Sequence, residues 1–482
     1  MKVLYIAAEC KPFSKTGGVG DVAGELPIAL RDAGIDIEIV TPWYGSIKVE
    51  DYKIKFHGKD ETFGIVPKDL GGVPINFIKN SQYFEGNYST PYINSKNIPF
   101  YDDILRFSFF SEACLYLVEK KAPDIIHIND WVLGYLFGRI AMKKLPLKKV
   151  ITVHNIGYQG NIGKDTIKGW NIEEILRDKE IGRFFVDPHT AWNSINALRL
   201  GLELADSANT VSPNYKNEIT HPEDQERYFE GGKGLHEICK KLSDQGKLIG
   251  ILNGFNYQFE PTDKNFEKTL DKKAKLKARL SKDFSDPDAM LVGFVGRAVE
   301  QKFKLLTEFI DGKSVLQHIL EIPRVNVAIL ATGLHEYESF LKKFIGQKNY
   351  SVTIAFDKEK AEQISLGSDI FLMPSLFEPC GITQMESLCN ATPPLVRWTG
   401  GLVDTVIPHD SPNGTGFGFD GYSKEEVLCN LIKCVKDALK MYTQDKNAFK
   451  QLQRRGFDTR FLWSTSANKY IKELYEPVLK TK

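Results

Sequence analysis

Short apolar runs alternate with segments of helical periodicity along most of the chain. The run at residues 3–8 predicts a first strand, and residues 22–33, followed by Gly34, predict a helix. Residues 35–41 predict the next strand and complete a βαβ unit. Such units build parallel sheets whose ligands bind beyond the carboxyl ends of the strands.

The alternation continues through the N-terminal half. It predicts a helix over residues 105–121 and strands over residues 124–128, 149–153 and 205–211. Residues 43–100 are rich in Gly, Pro, Tyr and Asn, and this composition predicts an insertion or a long loop.

A second run of alternation begins near residue 290. It predicts strands over residues 290–295, 325–331, 351–356, 369–373 and 394–397, and helices over residues 305–320, 336–345, 358–366 and from residue 382. The fold class expected is α/β, with two Rossmann-like doubly wound domains that face a central cleft. An Asn-Gly turn at residues 253–254 marks the boundary. We therefore predict domains over residues 1–250 and 251–482, with the last helix as a candidate to pack back on the N-terminal domain.

Composition excludes several classes of protein. A chain of 482 residues exceeds one hydrophobic core, and 42% hydrophobic with 26% charged residues is typical of a globular protein. The 63 Lys and Arg residues balance 62 Asp and Glu residues, which argues against a nucleic-acid partner. No apolar run reaches about 18 residues, so we expect no membrane partner.

The seven cysteines indicate a reducing compartment, since they are scattered, odd in number and free of a Cys-x-x-Cys pair. The N-terminal apolar run is too short for a signal peptide. We expect a cytoplasmic protein; a plastid location would require a transit peptide that has been removed.

Residues 374–386 carry the main candidate chemistry. They follow the predicted strand at residues 369–373, Pro379 stops that strand, and Gly381 permits a tight turn. Glu378 therefore lies in a turn just before a predicted helix, whose first amides lack partners and favour an anion. This arrangement suggests a sugar beside a phosphate; the alternative is an ordinary strand-to-helix connection with a surface glutamate.

The glycine loop at residues 15–21, Lys-Thr-Gly-Gly-Val-Gly-Asp, lies where the first strand leads into the first helix. Its glycines allow close approach of a phosphate or sugar, and Lys15 supplies positive charge. It matches neither a Walker loop nor the Gly-x-Gly-x-x-Gly dinucleotide pattern, and the alternative is a flexible turn.

Three more residues lie at predicted strand ends. Arg297 and Lys302 occupy the corresponding place in the second half, where they can neutralise a diphosphate or simply lie on a solvated helix start. His154 follows the strand at residues 149–153 and can bond a ligand hydroxyl, although a lone histidine is more often structural.

Together these motifs resemble bacterial glycogen synthases and plant starch synthases, the retaining glucosyltransferases of the two-Rossmann-domain (GT-B) type. The matching segments span nearly the whole chain in the family's order: residues 15–18 with Asp21, 130–131, 154–155 with 158–160, 211–213, 252–254, Arg297 with 301–302, 377–381 and 399–402. The Lys-Thr-Gly-Gly and Glu-Pro-Cys-Gly segments are the most specific.

The resemblance implies transfer of glucose, with retention, from ADP-glucose or UDP-glucose to the non-reducing 4-hydroxyl of an α-1,4-glucan such as glycogen or a maltooligosaccharide. A related glucosyltransferase with a small acceptor is one alternative. A catalytically silent glucan-binding or regulatory homologue is another, but the joint presence of Arg297, Lys302 and Glu378 favours an enzyme.

The resemblance also implies roles for single residues. Arg297 and Lys302 would neutralise the departing diphosphate, Glu378 would hold the donor sugar's hydroxyls, and His154 would position the glucose. The implied donor-binding residues are Lys15, Gly17, Gly18, Cys380, Gly381, Thr383 and Glu386, and the implied acceptor-side residues are Asp21 and Asp130. No metal and no cofactor is expected, because Arg and Lys supply the positive charge.

Several positions depart from the family pattern, namely Val19-Gly20, Val132, Arg199, Asn256 and Phe303. The segment Asn129-Asp130-Trp131-Val132 lacks the His commonly found on either side of Asp-Trp, which bears on acceptor contacts. Glu386 replaces the aromatic residue or His usual in the bacterial enzymes, whereas broader relatives of this fold bind ribose with a Glu. We therefore expect Glu386 to bind the donor's ribose and keep UDP-glucose as the alternative to ADP-glucose.

Overall fold

The computed structural model describes residues 1–86, 90–92, 100–189, 191 and 193–480. The chain divides into two compact units. The first contains Met1–Glu223, Gly231–Gly254 and the C-terminal segment from Leu462; the second contains Asp224–Glu230 and Phe255–Phe461. The chain thus passes from one unit to the other at four places; the sequence suggested a boundary after residue 250 and a last helix that packs back on the first domain.

The first unit is built on a large sheet. Its strands among the described residues are β1 (Lys2–Ile6), β2 (Asp36–Pro42), β3 (Asp51–Phe56), β4 (Lys59–Leu70), β5 (Val73–Lys79), β6 (Ile125–Asn129), β7 (Lys148–Val153), β8 (Asn161–Gly163), β9 (Ser194–Asn196), β10 (Ser207–Thr210) and β11 (Leu248–Gly250). Nine of them form one sheet in the order β11-β10-β7-β6-β1-β2-β5-β4-β3, and β8 pairs with β9. Strand β1 lies parallel between β2 and β6, as the βαβ pattern predicts.

Residues 43–100, predicted as an insertion or a long loop with short strand-like pieces, contain three strands in the described part of that stretch. Strand β5 extends the sheet parallel to β2, and β4 then pairs antiparallel with both β5 and β3. Many residues of β3 and β4 are exposed and charged, so these strands show little of the apolar pattern that marks a strand. Residues 87–89 and 93–99 of this stretch lie outside the described part of the chain.

Helices connect these strands: α1 (Gly18–Asp32), α2 (Ser81–Phe84), α3 (Asp103–Lys121), α4 (Gly134–Met142), α5 (Asn171–Arg177), α6 (Gly182–Phe185), α7 (Ala197–Leu204), α8 (Pro213–Glu218) and α9 (His236–Asp244). Helix α1 begins four residues before the predicted start at residue 22. The Glu9 carboxylate accepts a hydrogen bond from the Gly20 amide at 3.1 Å, so an amide of the first turn finds a partner from outside the helix.

The second unit contains a parallel sheet of six strands in the order β16-β15-β12-β17-β18-β19. Its strands are β12 (Met290–Ala298), β13 (Phe309–Ile310), β14 (Lys313–Ser314), β15 (Val325–Gly333), β16 (Tyr350–Thr353), β17 (Ile370–Met373), β18 (Pro394–Arg397) and β19 (Phe417–Phe419). Its helices are α10 (Asp263–Leu280), α11 (Glu300–Thr307), α12 (Val315–Leu320), α13 (His335–Lys342), α14 (Lys358–Gly367), α15 (Thr383–Cys389), α16 (Gly401–Thr405), α17 (Lys424–Gln444) and α18 (Lys446–Asp458).

Residues 305–320, predicted as mostly helix, contain the end of one helix and the whole of another. Helices α11 and α12 are separated by the hairpin β13-β14, which turns at Asp311 and Gly312. Both turn residues have positive φ, 49° and 76° respectively, and Asp-Gly is a strong hairpin signal that the helical pattern around it obscured.

The C-terminal segment belongs to the first unit. It contains α19 (Trp463–Lys469), a π-helix over Tyr470–Tyr475, and α20 (Glu476–Lys480). Trp463, Tyr470 and Tyr475 join a buried cluster with Tyr5 and Leu26. Among the described residues, none of the helices combines the length and apolarity needed to cross a membrane.

Candidate active site

In the second unit, three polar side chains from the segments that follow β12 and β17 lie together. The Lys302 ammonium, in the first turn of α11, donates to Oε2 of Glu378. The hydroxyl of Ser375 donates to the same oxygen at 3.1 Å and lies 3.3 Å from the Lys302 nitrogen. Glu378 is 8% exposed and Ser375 is fully buried, so this charge pair is largely shielded from water. The sequence analysis selected Lys302 and Glu378 but missed Ser375.

Two glycines allow the backbone of the Glu378 turn to lie close to the next loop. The amide of Gly401 donates to the carbonyl oxygen of Glu378 at 2.9 Å. Gly400 has φ +49°, and a Cβ atom at this position would overlap that same carbonyl oxygen. The Gly-Gly pair therefore supports the glutamate turn through a contact that a side chain would prevent.

Side chains fix the residues just before Glu378. The Gln301 carbonyl accepts from the Leu376 amide at 2.8 Å, and the Gln301 side chain donates to the Phe377 carbonyl at 2.9 Å. The buried guanidinium of Arg397 donates to the Leu376 carbonyl at 2.7 Å. The turn is thus held on several sides, and neither the Gln301 nor the Arg397 contact was predicted.

Arg297 lies next to the end of β12, with an exposed side chain. No hydrogen bond or ion pair of its guanidinium is present within the described parts of the chain. An exposed, unpaired guanidinium carries five donors that a phosphate can accept.

The residues predicted to grip phosphate lie around the start of α15. Gly381 has φ +74°, and the side chain of Gln384 donates to the carbonyls of Cys380 and Gly381 at 3.0 and 2.9 Å. Thr383 opens this seven-residue helix, and Glu386 lies on it with an exposed side chain. A Cβ atom on Gly381 would overlap Oε1 of Gln384, so a side chain at position 381 would displace the buried Gln384 carboxamide.

A buried carboxylate occupies the glycine loop of the first unit. Glu9 accepts from the amides of Thr16, Gly17 and Gly20, the last two at 3.2 and 3.1 Å. Burial raises the pKa of Glu9 to about 7, although the three amides oppose that shift. Gly17 is a predicted donor-binding residue, but its amide is bonded to Glu9, whereas the space beside the Gly18 Cα is open. Sequence reasoning missed Glu9, which precedes the glycine motif.

Lys15 and Asp21 form an ion pair across the same loop. The Lys15 ammonium lies 2.6 Å from a carboxylate oxygen of Asp21, and Lys11 approaches the other oxygen at 3.6 Å. Both lysine side chains are about half exposed. The structure thus brings together one residue predicted on the donor side and one predicted on the acceptor side.

Asp130 and His154 lie at the ends of the neighbouring strands β6 and β7. Asp130 accepts from the His154 amide at 2.7 Å and from the Asn155 amide at 3.4 Å. Burial raises the pKa of Asp130 to about 7. His154 is buried, which lowers its pKa to about 3, and its Nε2 lies 2.8 Å from Oδ1 of Asn129. The imidazole is therefore neutral at physiological pH.

All seven cysteines are free thiols. Within the described residues, no group of three or more His, Cys, Asp and Glu side chains is arranged to hold a metal ion.

Comparison with known proteins identifies similar chains. The family model described as "Starch synthase catalytic domain" matches residues 2–241, and the model "Glycosyl transferases group 1" matches residues 277–451. The glycogen synthase of Geotalea daltonii is 36% identical over 100% of both chains, and that of Clostridioides difficile is 33% identical over 98% of both.

Solved structures agree with these matches. The catalytic domain of starch synthase IV from Arabidopsis thaliana, bound to ADP and acarbose, has a TM-score of 0.80 and 27% identity over 99% of both chains. Sucrose-phosphate synthase from Thermosynechococcus elongatus, at 16% identity and a TM-score of 0.58, shares the fold alone.

Proposed function

The chain belongs to the glycogen and starch synthase family and is a glycosyltransferase of the GT-B class, and we propose that it elongates an α-1,4-glucan with glucose from a nucleotide diphosphate sugar. ADP-glucose is the donor we propose, since the similar starch synthase IV is bound to ADP. The proposed acceptor is the non-reducing 4-hydroxyl of glycogen or a maltooligosaccharide, and the proposed stereochemical course is retention.

The observation that carries this proposal is the buried cluster of Lys302, Ser375 and Glu378. Lys302 and Ser375 both donate to Oε2 of Glu378. Its other oxygen, Oε1, has no hydrogen-bond partner among the residues that the structure describes. We propose that Oε1 accepts hydrogen bonds from hydroxyls of the donor glucose. A carboxylate held in one orientation beforehand loses little entropy when it binds its ligand.

We propose that Lys302 and Arg297 neutralise the diphosphate as the bond to glucose breaks. Negative charge on the leaving group grows in the transition state, so a fixed cation there lowers the barrier. Lys302 is fixed by Ser375 and Glu378, whereas the guanidinium of Arg297 is exposed and unpaired among the described residues. Arg297 therefore has every donor available for phosphate oxygens.

The turn at the start of α15 completes the proposed donor site in the second unit. Cys380, Gly381 and Thr383 would contact the phosphate, and Glu386 would bind the ribose hydroxyls. The exposed side chain of Glu386 and the positive φ of Gly381 agree with this assignment.

In the first unit, we propose that His154 positions the donor glucose and that Lys15, Gly17 and Gly18 contact the donor. Asp21 and Asp130 would act on the acceptor side. Because Lys15 and Asp21 pair in the structure, binding of a substrate to either residue would have to loosen that pair.

A donor panel tests the proposed function directly. The protein is incubated with ADP-glucose or UDP-glucose, with and without glycogen or a maltooligosaccharide, and nucleotide diphosphate release and glucan length are followed. We expect release that depends on the glucan and matches the α-1,4-linked glucose added to it, and release that is about 100-fold slower from Lys302→Ala. Release without glucan elongation, or no turnover with either donor, would contradict the proposal.

A further inference from the structure

Asn129, the last residue of β6, bonds three groups through its buried carboxamide. Its Nδ2 donates to the carbonyl of Ile6 on β1 at 2.9 Å. Its Oδ1 accepts from the hydroxyl of Tyr5 at 3.0 Å and lies 2.8 Å from Nε2 of His154. The Asn129 side chain is 1% exposed, so its polar atoms are surrounded by protein rather than by water.

The Ile6 contact determines which way the carboxamide of Asn129 points. A backbone carbonyl only accepts hydrogen bonds, so the amide nitrogen must face Ile6 and the amide oxygen must face His154. A carboxamide rotated by 180° would place its oxygen against the Ile6 carbonyl, two acceptors with no proton between them. The Ile6 contact therefore selects one orientation.

This orientation determines the tautomer of His154. An amide oxygen cannot donate, so the proton of the 2.8 Å contact belongs to Nε2 of the imidazole. A neutral imidazole carries one proton, and its other nitrogen, Nδ1, is then an acceptor. Nδ1 has no hydrogen-bond partner among the residues that the structure describes.

We infer that Asn129 is a positioning residue that keeps His154 in the Nε2-protonated tautomer, so that Nδ1 accepts a hydrogen bond from a hydroxyl of the donor glucose. The inference rests on the proposed role of His154 in donor binding and adds the direction of that hydrogen bond. Burial agrees with it, because it lowers the pKa of His154 and keeps the ring neutral.

Position 129 is one of the two places beside Asp-Trp where the family commonly has a histidine. A histidine there can present either a donor or an acceptor nitrogen, depending on its own tautomer. Asn129, with its nitrogen bonded to Ile6, presents only an oxygen. Asn129 therefore leaves His154 a single choice of tautomer.

Nuclear magnetic resonance of the whole enzyme with 15N-labelled histidine measures the tautomer directly. The chain has nine histidines, and the signal missing from the His154→Gln spectrum assigns His154. We expect Nε2 to carry the proton and Nδ1 to show the shift of a bare nitrogen, unchanged across neutral pH. A proton on Nδ1 of His154 would overturn the inference. This readout needs no substrate, so its failure is distinct from a failure of the proposed function, which would appear as absent glucan elongation.

Asn129→Asp provides a kinetic test, since Asp retains an oxygen toward His154 and adds a negative charge. Three titratable groups surround His154. Asp130 accepts a hydrogen bond from its backbone amide, His127 lies on β6, and Tyr5 on β1 bonds Asn129. The added carboxylate stabilises the imidazolium, whose Nδ1 can no longer accept. We expect the donor KM of Asn129→Asp to rise about tenfold as the pH falls below neutral, the size of one lost hydrogen bond, with wild type unaffected.

Asn209→Asp is the matched control. Asn209 is fully buried on β10 of the same sheet and bonds Thr152 and Tyr470 rather than His154. An equal pH-dependent rise in donor KM in Asn209→Asp would mean that any charge in the sheet has this effect, and would overturn the inference. If Asn129→Asp does not fold, the tautomer of His154 measured in the wild-type enzyme still tests the inference.

Discussion

Lys302 and Glu378 form a hydrogen-bonded ion pair although 76 residues separate them in sequence. Lys302 follows β12 and Glu378 follows β17, and these two strands lie side by side and parallel in the sheet of the second unit. Parallel neighbours end at the same edge, so a cation after one strand meets a carboxylate after the other. The pair is the centre of the proposed donor site.

Lys302→Ala should lower kcat by about 10², which corresponds to ~2.7 kcal/mol of barrier, because a cation that acts on the leaving group is lost. Steady-state kinetics at saturating donor measure this, with thermal denaturation to verify folding. Lys304→Ala is the control, since Lys304 lies on the same helix and pairs with Glu308. Near-normal turnover of Lys302→Ala would contradict the assignment.

Ser375→Ala should lower kcat/KM roughly tenfold while leaving Lys302 and Glu378 in place. The hydroxyl orients the Glu378 carboxylate, and one lost hydrogen bond contributes about 1–1.5 kcal/mol. Ser368→Ala removes another fully buried hydroxyl, which precedes β17 and bonds the Ile364 carbonyl. If both variants lose the same activity, the effect of Ser375 is general destabilisation rather than orientation.

Gly400→Ala should reduce both stability and turnover, because the new Cβ would displace the carbonyl of Glu378. Gly346→Ala is the control for backbone strain alone. Gly346 also has a positive φ, +99°, but a Cβ atom there would meet no other atom. We expect Gly346→Ala to cost only about 1 kcal/mol of unfolding free energy and to retain full kcat. Equal kcat in the two variants would argue against the role of Gly400.

Glu386→Gln should raise the donor KM and leave the acceptor KM unchanged. Two charge-assisted hydrogen bonds from a carboxylate to ribose contribute about 1.5–3 kcal/mol when shielded, so we expect a roughly 10- to 100-fold increase. The increase should be the same for ADP-glucose and UDP-glucose, which share ribose. Glu362→Gln, an exposed glutamate on α14, is the control. An unchanged donor KM with both nucleotides would place Glu386 outside the site.

Folding stability should fall as the pH rises from about 4 to about 7, in part because of Asp130. Burial raises its pKa to about 7, whereas an unfolded Asp titrates near ~3.9. In that interval the native state holds a proton that the unfolded state has lost, so deprotonation favours unfolding.

Asp130→Asn should therefore lose less stability than wild type between about pH 4 and 7, by on the order of a few kcal/mol. Asp130 already has φ 57° and Asn has the same shape as Asp, so the substitution adds little backbone strain. Denaturant unfolding at a series of pH values measures the difference, with the exposed Asp36→Asn as control. A pH dependence identical to wild type would contradict the buried, protonated Asp130.

The local pattern of the sequence was sufficient for the elements with strong periodicity. The strands β1, β2, β6, β7, β15, β17 and β18 were predicted within two residues at each end, since buried parallel strands are short apolar runs. The resemblance to the synthase family also came from contiguous motifs, and the comparisons confirm it. The hairpin β13-β14 was missed because it is hidden within a helical period, and the full extents of β3 and β4 were missed because many of their residues are polar.

The predicted roles of single site residues remain predictions, but the structure adds the residues that surround them. Glu9 bonds the glycine loop, Ser375 bonds Glu378, and Asn129 bonds His154. None of the three has a sequence motif of its own. Glu9 and Ser375 act on residues nearby in sequence, yet their orientation follows from burial against neighbouring strands.

The sequence by itself determined the alternation of strands and helices, the family and the identity of the charged groups. These features depend on residue types at short spacing, which periodicity and motifs record. Only the tertiary structure decided that Asn129 meets both Ile6 and His154, that residues 224–230 join the second unit, and that the segment from Leu462 joins the first. Such contacts join residues up to hundreds of positions apart, and the need to pair each buried polar group selects them only once the sheets have formed.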